Sequence, residues 1–212
     1  MPAPQLTRRD AGSAPRWVVL MLHGGREVGL DPVDGRNTSW HRSRWMLGQI
    51  TGRANRAGVS VWLLRYQVRG WNAETATPPS PVPDARWALE EVRRAHGQVP
   101  VVLLGHSMGA RTAAAVADDP SVTGVVAVAP WFPPGEPVTA LSGKHLAAAH
   151  GRDDRITSAH ATHEFVRRAR PVAASAEFID MGATGHYMFR RIPQWNSFAV
   201  GRALDFLDGN GR

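Results

Sequence analysis

The sequence contains no cysteine, which excludes disulfide bonds, thiolate catalysis and zinc sites built on cysteine. It contains a single lysine, Lys144, so almost all of its 25 basic side chains are arginines. It also lacks any run of about 18 consecutive apolar residues, the length that a membrane-spanning helix requires. The N-terminal residues include no apolar segment typical of a secretory signal. These absences favour a cytoplasmic protein with no membrane partner.

The charge is strongly positive, with a formal net value of +7. A basic protein of this kind invites an interpretation as a nucleic-acid binder. However, the arginines are scattered, no run of them exceeds two, and no aromatic residues are interleaved with them as a stacking platform. We therefore expect no nucleic-acid partner, while an acidic substrate stays open.

Short apolar runs rich in β-branched residues alternate with amphipathic segments, which is typical of a parallel sheet with helices on both faces. The predicted strands are residues 17–22, 59–64, 99–104, 122–128, 145–150 and 174–179. The predicted helices are residues 39–57, 84–96, 108–117, 158–169 and 194–207. We expect one domain over residues 1–212, a three-layer α/β/α sandwich whose mostly parallel sheet has about six strands.

Three segments fall outside the predicted elements. Residues 1–15 are expected to form a flexible lead-in, and residues 209–212 a tail. Residues 69–83 are rich in proline, so we expect a stiff, extended loop there rather than a helix.

The strongest chemical signal is the motif GHSMG at residues 105–109. It follows an apolar strand and opens an alanine-rich helix, which is the context of a nucleophile elbow. Glycine on either side of Ser107 allows a turn so tight that a Cβ atom would clash there. The pattern predicts that Ser107 is a nucleophile at the edge of the sheet.

A serine hydroxyl needs a base that takes its proton, and His186 is the best candidate. It lies in a glycine-rich loop after the last predicted strand, from which a side chain can reach the sheet edge. His145 and His150 bracket a strand, where at least one of them only packs, and His160 and His163 lie on a helix.

The acid that orients His186 should follow the preceding strand, where Asp153 and Asp154 are adjacent. Neighbouring residues of a turn point in different directions, so only one of them can reach the imidazole. We favour Asp154, three residues beyond Gly151, because it has room to turn inward. Asp153 stays open as the alternative.

An oxyanion on the attacked carbonyl needs backbone donors. We expect one from the amide of Met108 and the other from Gly25, in the HGG segment that follows the first predicted strand. His23 and His106 are interpreted as buried hydrogen-bonding residues that fix their loops. No histidine and carboxylate spacing matches a zinc or iron signature, so neither a metal nor another cofactor is expected.

The ordered motifs HGG, GHSMG, HGRDD and GHY resemble those of the α/β-hydrolase superfamily, and the chain is similar to small lidless carboxylesterases and dienelactone-hydrolase-like proteins. The resemblance implies a catalytic triad of Ser107, Asp154 and His186 and an oxyanion hole at Met108 and Gly25. Relatives carry two further strands before the HGG strand, which implies a trimmed sheet here. Only about fifteen residues separate Pro130 from Lys144, which is too few for a lid.

The expected function is hydrolysis of a small carboxylic ester or thioester through an acyl-serine. Candidate substrate-binding residues are Trp131, Phe132, Tyr187 and Met188, which follow the sheet edge or flank His186. Acyl transfer or cofactor-free perhydrolysis by the same triad is an alternative. A non-hydrolytic ligand-binding protein on this fold is another. The oligomeric state and the substrate stay open.

Overall fold

The structure, a computed structural model, describes residues 3–12, 14–35 and 37–207, and the predicted tail lies outside them. The strands are β1 (Gln5–Arg9), β2 (Trp17–Leu22), β3 (Val59–Arg65), β4 (Val101–His106), β5 (Val122–Val128), β6 (His145–His150) and β7 (Ser175–Asp180). The α-helices are α1 (Thr38–Arg56), α2 (Pro81–His96), α3 (Met108–Ala115), α4 (Ala159–Ala169) and α5 (Ile192–Leu207). Every helix and strand predicted from the sequence is present, with ends that differ by up to three residues.

The strands form one sheet in the order β1-β3-β2-β4-β5-β6-β7. All neighbours are parallel except β1, which pairs antiparallel with β3. Helices α1 and α5 pack on each other and on the central strands, α2 and α3 form a second packed pair, and α4 covers β6 and β7. The α/β sandwich predicted from the alternating pattern is confirmed. Its central strands are continuous apolar runs because helices cover both of their faces.

The sheet has seven strands rather than about six, because the predicted lead-in contains β1. Leu6 of β1 is the register partner of Leu64 in β3. Without this pairing β3, which is almost entirely buried, would be an apolar edge strand with an open row of backbone groups. The alternation in β1 is too short and too polar to be recognised from the sequence alone.

The end of β1 also covers a large core side chain. The indole of Trp62 is fully buried, and its Nε1–H donates to Asp10 Oδ1 at 2.7 Å. The Arg8 guanidinium lies 4.2 Å from the centre of the Trp62 ring. The N-terminal segment is therefore held by packing and a hydrogen bond to β3, in addition to the strand ladder.

The proline-rich segment is helical at its end, which corrects the expectation of an extended loop up to residue 83. Helix α2 begins at Pro81, three residues before the predicted start. Proline is favoured in the first turn of a helix, because the missing N–H has no partner there and the fixed φ suits the helix. Among the described residues, no helix combines the length and apolar character needed to cross a membrane.

Removal of residues 1–10 should destabilise the protein without unfolding it, because β3 and the Trp62 ring would face water. We expect the free energy of unfolding to fall by about 2–3 kcal/mol, at about 2.5 kcal/mol for each 100 Å² of apolar surface exposed. Urea denaturation followed by circular dichroism measures the change. The control is Gln5→Ala, an exposed position on β1, which should change stability by less than about 0.5 kcal/mol. An unchanged urea midpoint in the truncated chain would contradict a stabilising role for β1.

Candidate active site

Ser107 occupies the single-residue turn between β4 and α3. Its backbone has φ 53° and ψ −118°, a left-handed conformation that is strained for a residue with a Cβ atom. A Cβ at Gly109 would lie 2.1 Å from the Leu22 carbonyl oxygen, and one at Gly105 would lie 2.4 Å from the Ala110 backbone. The two glycines thus permit the close contacts that hold the turn at the carboxyl end of the sheet.

The structure brings Ser107, His186 and Asp154 into one chain of hydrogen bonds. Ser107 Oγ lies 3.1 Å from His186 Nε2, and His186 Nδ1 lies 2.8 Å from Asp154 Oδ2. All three side chains are buried. With Nδ1–H donating to the carboxylate, Nε2 is left free to accept the Ser107 hydroxyl. The side chain of Asp153, the alternative acid, is exposed and makes no hydrogen bond to His186.

Asp154 accepts five hydrogen bonds. Its Oδ2 atom accepts from His186, from His150 Nε2 at 3.0 Å and from the Thr157 hydroxyl at 2.9 Å. Its Oδ1 atom accepts from the amides of Ile156 and Thr157 at 2.8 and 2.9 Å. Burial alone would raise the pKa of this carboxyl, but the bonds from the two histidines and Thr157 outweigh it and hold the pKa far below its usual range. The carboxylate is therefore ionised at neutral pH.

Two partners of Asp154 were not identified from the sequence. His150, at the end of β6, is fully buried, and its Nδ1 lies 2.8 Å from the Thr162 hydroxyl. The Thr157 hydroxyl also lies 3.1 Å from His186 Nδ1. The N-cap residue of α4 is its neighbour Ser158. The spacing of His150 four residues before Asp154 is a signal that could have indicated the contact.

Gly25, which the sequence predicts as an oxyanion donor, lies against the Met108 side chain. A Cβ at Gly25 would lie 2.4 Å from both the Arg69 carbonyl oxygen and the Met108 Cε atom, so only glycine fits. The Gly25 amide donates to no other backbone group within the part of the chain that the structure describes. The Met108 amide opens α3 and has no partner inside the helix.

His23 fixes the Gly25 loop, as the sequence suggested. Its Nε2 accepts the Tyr66 amide at 3.3 Å, so Nδ1 carries the proton and donates to the Gly24 carbonyl oxygen at 2.6 Å. Burial lowers the pKa of His23 to about 4. The imidazole is therefore neutral at pH 7, and one tautomer satisfies both contacts.

Two buried side chains hold consecutive carbonyl groups of the His186 loop. His106 Nε2–H donates to the His186 carbonyl oxygen at 3.1 Å, and Arg42 Nε–H donates to the Tyr187 carbonyl oxygen at 2.7 Å. Burial lowers the pKa of His106 to about 3, so it stays neutral. The sequence had marked His106 as a residue that fixes a loop, but Arg42 was missed, since nothing in α1 marks it as buried.

The four residues predicted to bind substrate divide into two groups. Tyr187 lines a cavity of about 160 Å³, and Trp131 is half-buried beside the Trp71 ring. Phe132 and Met188 are buried in the core, which corrects the prediction for both. Phe132 stacks on Phe165 of α4, with 3.8 Å between ring centres. Met188 follows a turn closed by its amide to the Gly185 carbonyl, and the turn directs its side chain inward.

Two cavities are lined by residues that follow His186, and Thr38 lines both of them. The polar cavity that contains Tyr187 is also lined by Gly25, Arg26, Asn37, Thr38, Ser39 and Arg69. The second, of about 310 Å³, is lined by Thr38, His41, Arg42, Trp45, Phe189 and Ile192. The first of these reaches the Gly25 loop, so it is the space nearest to the expected oxyanion donors.

The buried neutral histidines should make the free energy of unfolding decrease as the pH is lowered. In the unfolded chain, histidine binds a proton below about pH 6.5, whereas His23 in the fold does so only near pH 4. Stability is therefore complete above pH 6.5 and falls between pH 6.5 and 4, by up to about 1.4 kcal/mol per pH unit for each such group. Urea unfolding at several pH values should give a shallower slope in His23→Gln than in the wild type. The matched control is His160→Gln, an exposed position; equal slopes in all three proteins would contradict the neutral state of His23.

The chain is similar in fold to known proteins over nearly its whole length. Solved structures with closely similar folds include a serine hydrolase homologue from Coxiella burnetii, with a TM-score of 0.68 and 17% identity over 94% of this chain and 91% of that one. A lidless serine hydrolase from Xanthomonas campestris matches with a TM-score of 0.64 and 14% identity over 95% and 96% of the two chains. A butyrate-bound esterase from Thermogutta terrifontis matches with a TM-score of 0.67 and 15% identity over 98% and 90%. At these identities the likeness shows the fold alone.

No curated protein sequence matches the chain. The model of the alpha/beta hydrolase family, in contrast, matches residues 19–208, nearly the whole sequence. The match includes the strand before Gly25, the Ser107 turn and the loops of Asp154 and His186. The chain therefore belongs to the alpha/beta hydrolase family.

Proposed function

We propose that the protein is a serine hydrolase that cleaves a carboxylic ester or thioester of a small molecule through an acyl-serine intermediate. The observation that carries this proposal is the unbroken line of hydrogen bonds from Asp154 through His186 to Ser107. The hydroxyl oxygen at the end of this line belongs to Ser107. The backbone of Ser107 is strained, and the Met108 amide follows it directly. Membership of the hydrolase family supports the same chemistry.

In the proposed reaction Ser107 Oγ attacks the substrate carbonyl while His186 Nε2 takes the hydroxyl proton. The amides of Met108 and Gly25 donate to the oxyanion that forms. When the intermediate collapses, His186 gives the proton to the leaving alcohol or thiol. Water then attacks the acyl-serine, again with His186 as base, and releases the acid. Asp154 keeps its charge throughout and holds Nδ1–H of His186 in place.

The surroundings of Ser107 favour a small substrate with open access. The segment between β5 and β6 contains only one short 3-10 turn, Thr139–Leu141, and no lid helix. The polar cavity beside Gly25 holds about 160 Å³, which suits a compact group next to the scissile bond. The proposal requires no cofactor, since the three side chains and the two amides supply the nucleophile, the base and the stabilisation of charge.

A fluorophosphonate probe tests the nucleophile directly. We expect it to label the native protein at Ser107, as located by mass spectrometry of the peptides, and to leave the heat-unfolded chain unlabelled. Short p-nitrophenyl esters and thioesters should be hydrolysed by the wild type. Ser107→Ala should lose both labelling and hydrolysis, by about six orders of magnitude in kcat for the latter. A native protein that neither reacts with the probe nor cleaves any ester would overturn the proposal.

The two adjacent aspartates provide a matched pair for the acid. Asp154→Asn should lower kcat by about 10³–10⁴-fold, because an amide cannot stabilise the imidazolium and favours the wrong tautomer. Asp153→Asn changes the same chemical group one residue earlier, at an exposed position, and should leave kcat within about twofold. Steady-state kinetics of both variants, after circular dichroism has established that they fold, make the comparison. Similar losses in both variants would contradict the role of Asp154.

A further inference from the structure

Arg42 is a buried cation with most of its hydrogen-bonding capacity unused. The residue is 5% exposed, and its Nε–H donates to the Tyr187 carbonyl oxygen. The four N–H groups on Nη1 and Nη2 are buried and have no hydrogen-bond partner among the described residues. Burying a guanidinium without a counter-charge is costly, and burial lowers the pKa of Arg42 to about 10. The arrangement lacks an anion.

Arg111, whose side chain is 15% exposed, shows how this chain satisfies a largely buried guanidinium. Arg111 pairs with the buried carboxylate of Glu136 at 2.7 Å. Its guanidinium also contacts the rings of Trp71 and Trp131, 4.1 and 4.6 Å from their centres. Arg42 has a similar aromatic neighbour, Trp45, at 4.9 Å, but no acidic side chain among the described residues takes the place of Glu136. A ligand could supply the negative charge that Arg42 lacks there.

The cavity of about 310 Å³ beside Arg42 has space for such a partner. Apart from Arg42, its walls include the side chains of Trp45, Phe189 and Ile192. Trp45 is 42% exposed and Phe189 is 68% exposed, which is unusual for large apolar side chains. A ligand for this space combines an apolar body with one negative charge.

We propose that this cavity binds a carboxylate that carries an apolar group, with the carboxylate paired to the Arg42 guanidinium. The Trp45 ring lies over the guanidinium. Because Trp45 is 42% exposed, its side chain has room to rotate, and in the proposed complex it turns away so that Nη1 and Nη2 face the cavity. The planar fork of the guanidinium then accepts a carboxylate in two parallel hydrogen bonds. The apolar group packs against Phe189 and Ile192.

The location of this cavity connects it with the candidate active site. Thr38 lines both this cavity and the polar cavity beside Gly25. The Nε atom of Arg42 binds the carbonyl of Tyr187, the residue after His186. A carboxylate bound to Arg42 is thus paired with a side chain that also holds the loop of His186. The binding itself does not depend on the proposed hydrolysis, so the two proposals can fail separately.

Isothermal titration with octanoate, 1-octanol and octylammonium tests the site in the wild-type protein. The three probes share one alkyl chain and differ in the charge of the head group. We expect octanoate to bind roughly ten- to a hundredfold more tightly than octanol, the range for charge-assisted hydrogen bonds, and octylammonium to bind most weakly. Equal affinities for octanoate and octanol, or no binding of octanoate, would overturn the proposal and indicate that only water satisfies Arg42.

Variants of α1 locate the effect. Arg42→Met keeps an unbranched apolar stem as far as the Nε position, removes the charge and should abolish the preference for octanoate. Arg44→Met, an exposed arginine two residues later on the same helix, is the matched control and should keep the preference. If Arg42→Met does not fold, Ile192→Trp decides the matter, since it fills the cavity and leaves Arg42 in place. Octanoate affinity that is unchanged in Ile192→Trp would place the ligand elsewhere and overturn the proposal.

Discussion

The carboxylate of Asp154 is buried, yet five donors surround it, and the candidate site depends on their balance. Burial by itself would favour the neutral acid, which could not hold a proton on His186 Nδ1. The histidines at 150 and 186 together with Thr157 reverse this preference. Because the donors come from β6, from the turn after it and from the loop after β7, the ionised carboxylate also joins three segments of the chain at one sheet edge.

The opposite side of the His186 loop is held by different means. His106, the neighbour of Ser107, and Arg42, on α1, bind successive carbonyl groups of this loop. The distance between the hydroxyl of Ser107 and the imidazole is thus set by the backbone as well as by their own hydrogen bond. His106 can do this without adding charge because burial keeps it neutral, whereas Arg42 brings a cation into the same region. Burial lowers the pKa of both side chains, to about 3 for His106 and about 10 for Arg42, so only Arg42 keeps its charge at neutral pH.

The sequence predicted every helix and every strand except β1. The differences between expectation and structure have two causes. Strand β1 was missed because its five residues carry little apolar signal, and only the pairing with β3 gives them a structure. Phe132 and Met188 were assigned to a pocket because they follow the right elements. Turns at Ala129 and after His186, both at positive φ, direct their side chains into the core instead. The direction in which a side chain leaves a turn depends on the local dihedral angles. Residue type alone specifies those angles poorly.

The sequence by itself determined the alternation of strands and helices, the glycines that permit the Ser107 turn, and the order of Ser107, Asp154 and His186 along the chain. These follow from periodicity and from steric limits that act over a few residues. Only the tertiary structure placed Asp154 rather than Asp153 within hydrogen-bonding distance of His186, brought His150 onto the same carboxylate oxygen and left Arg42 without a counter-charge among the described residues. Those outcomes depend on which side chains meet across the sheet and how completely water is excluded, and both are fixed by packing between segments far apart in the chain.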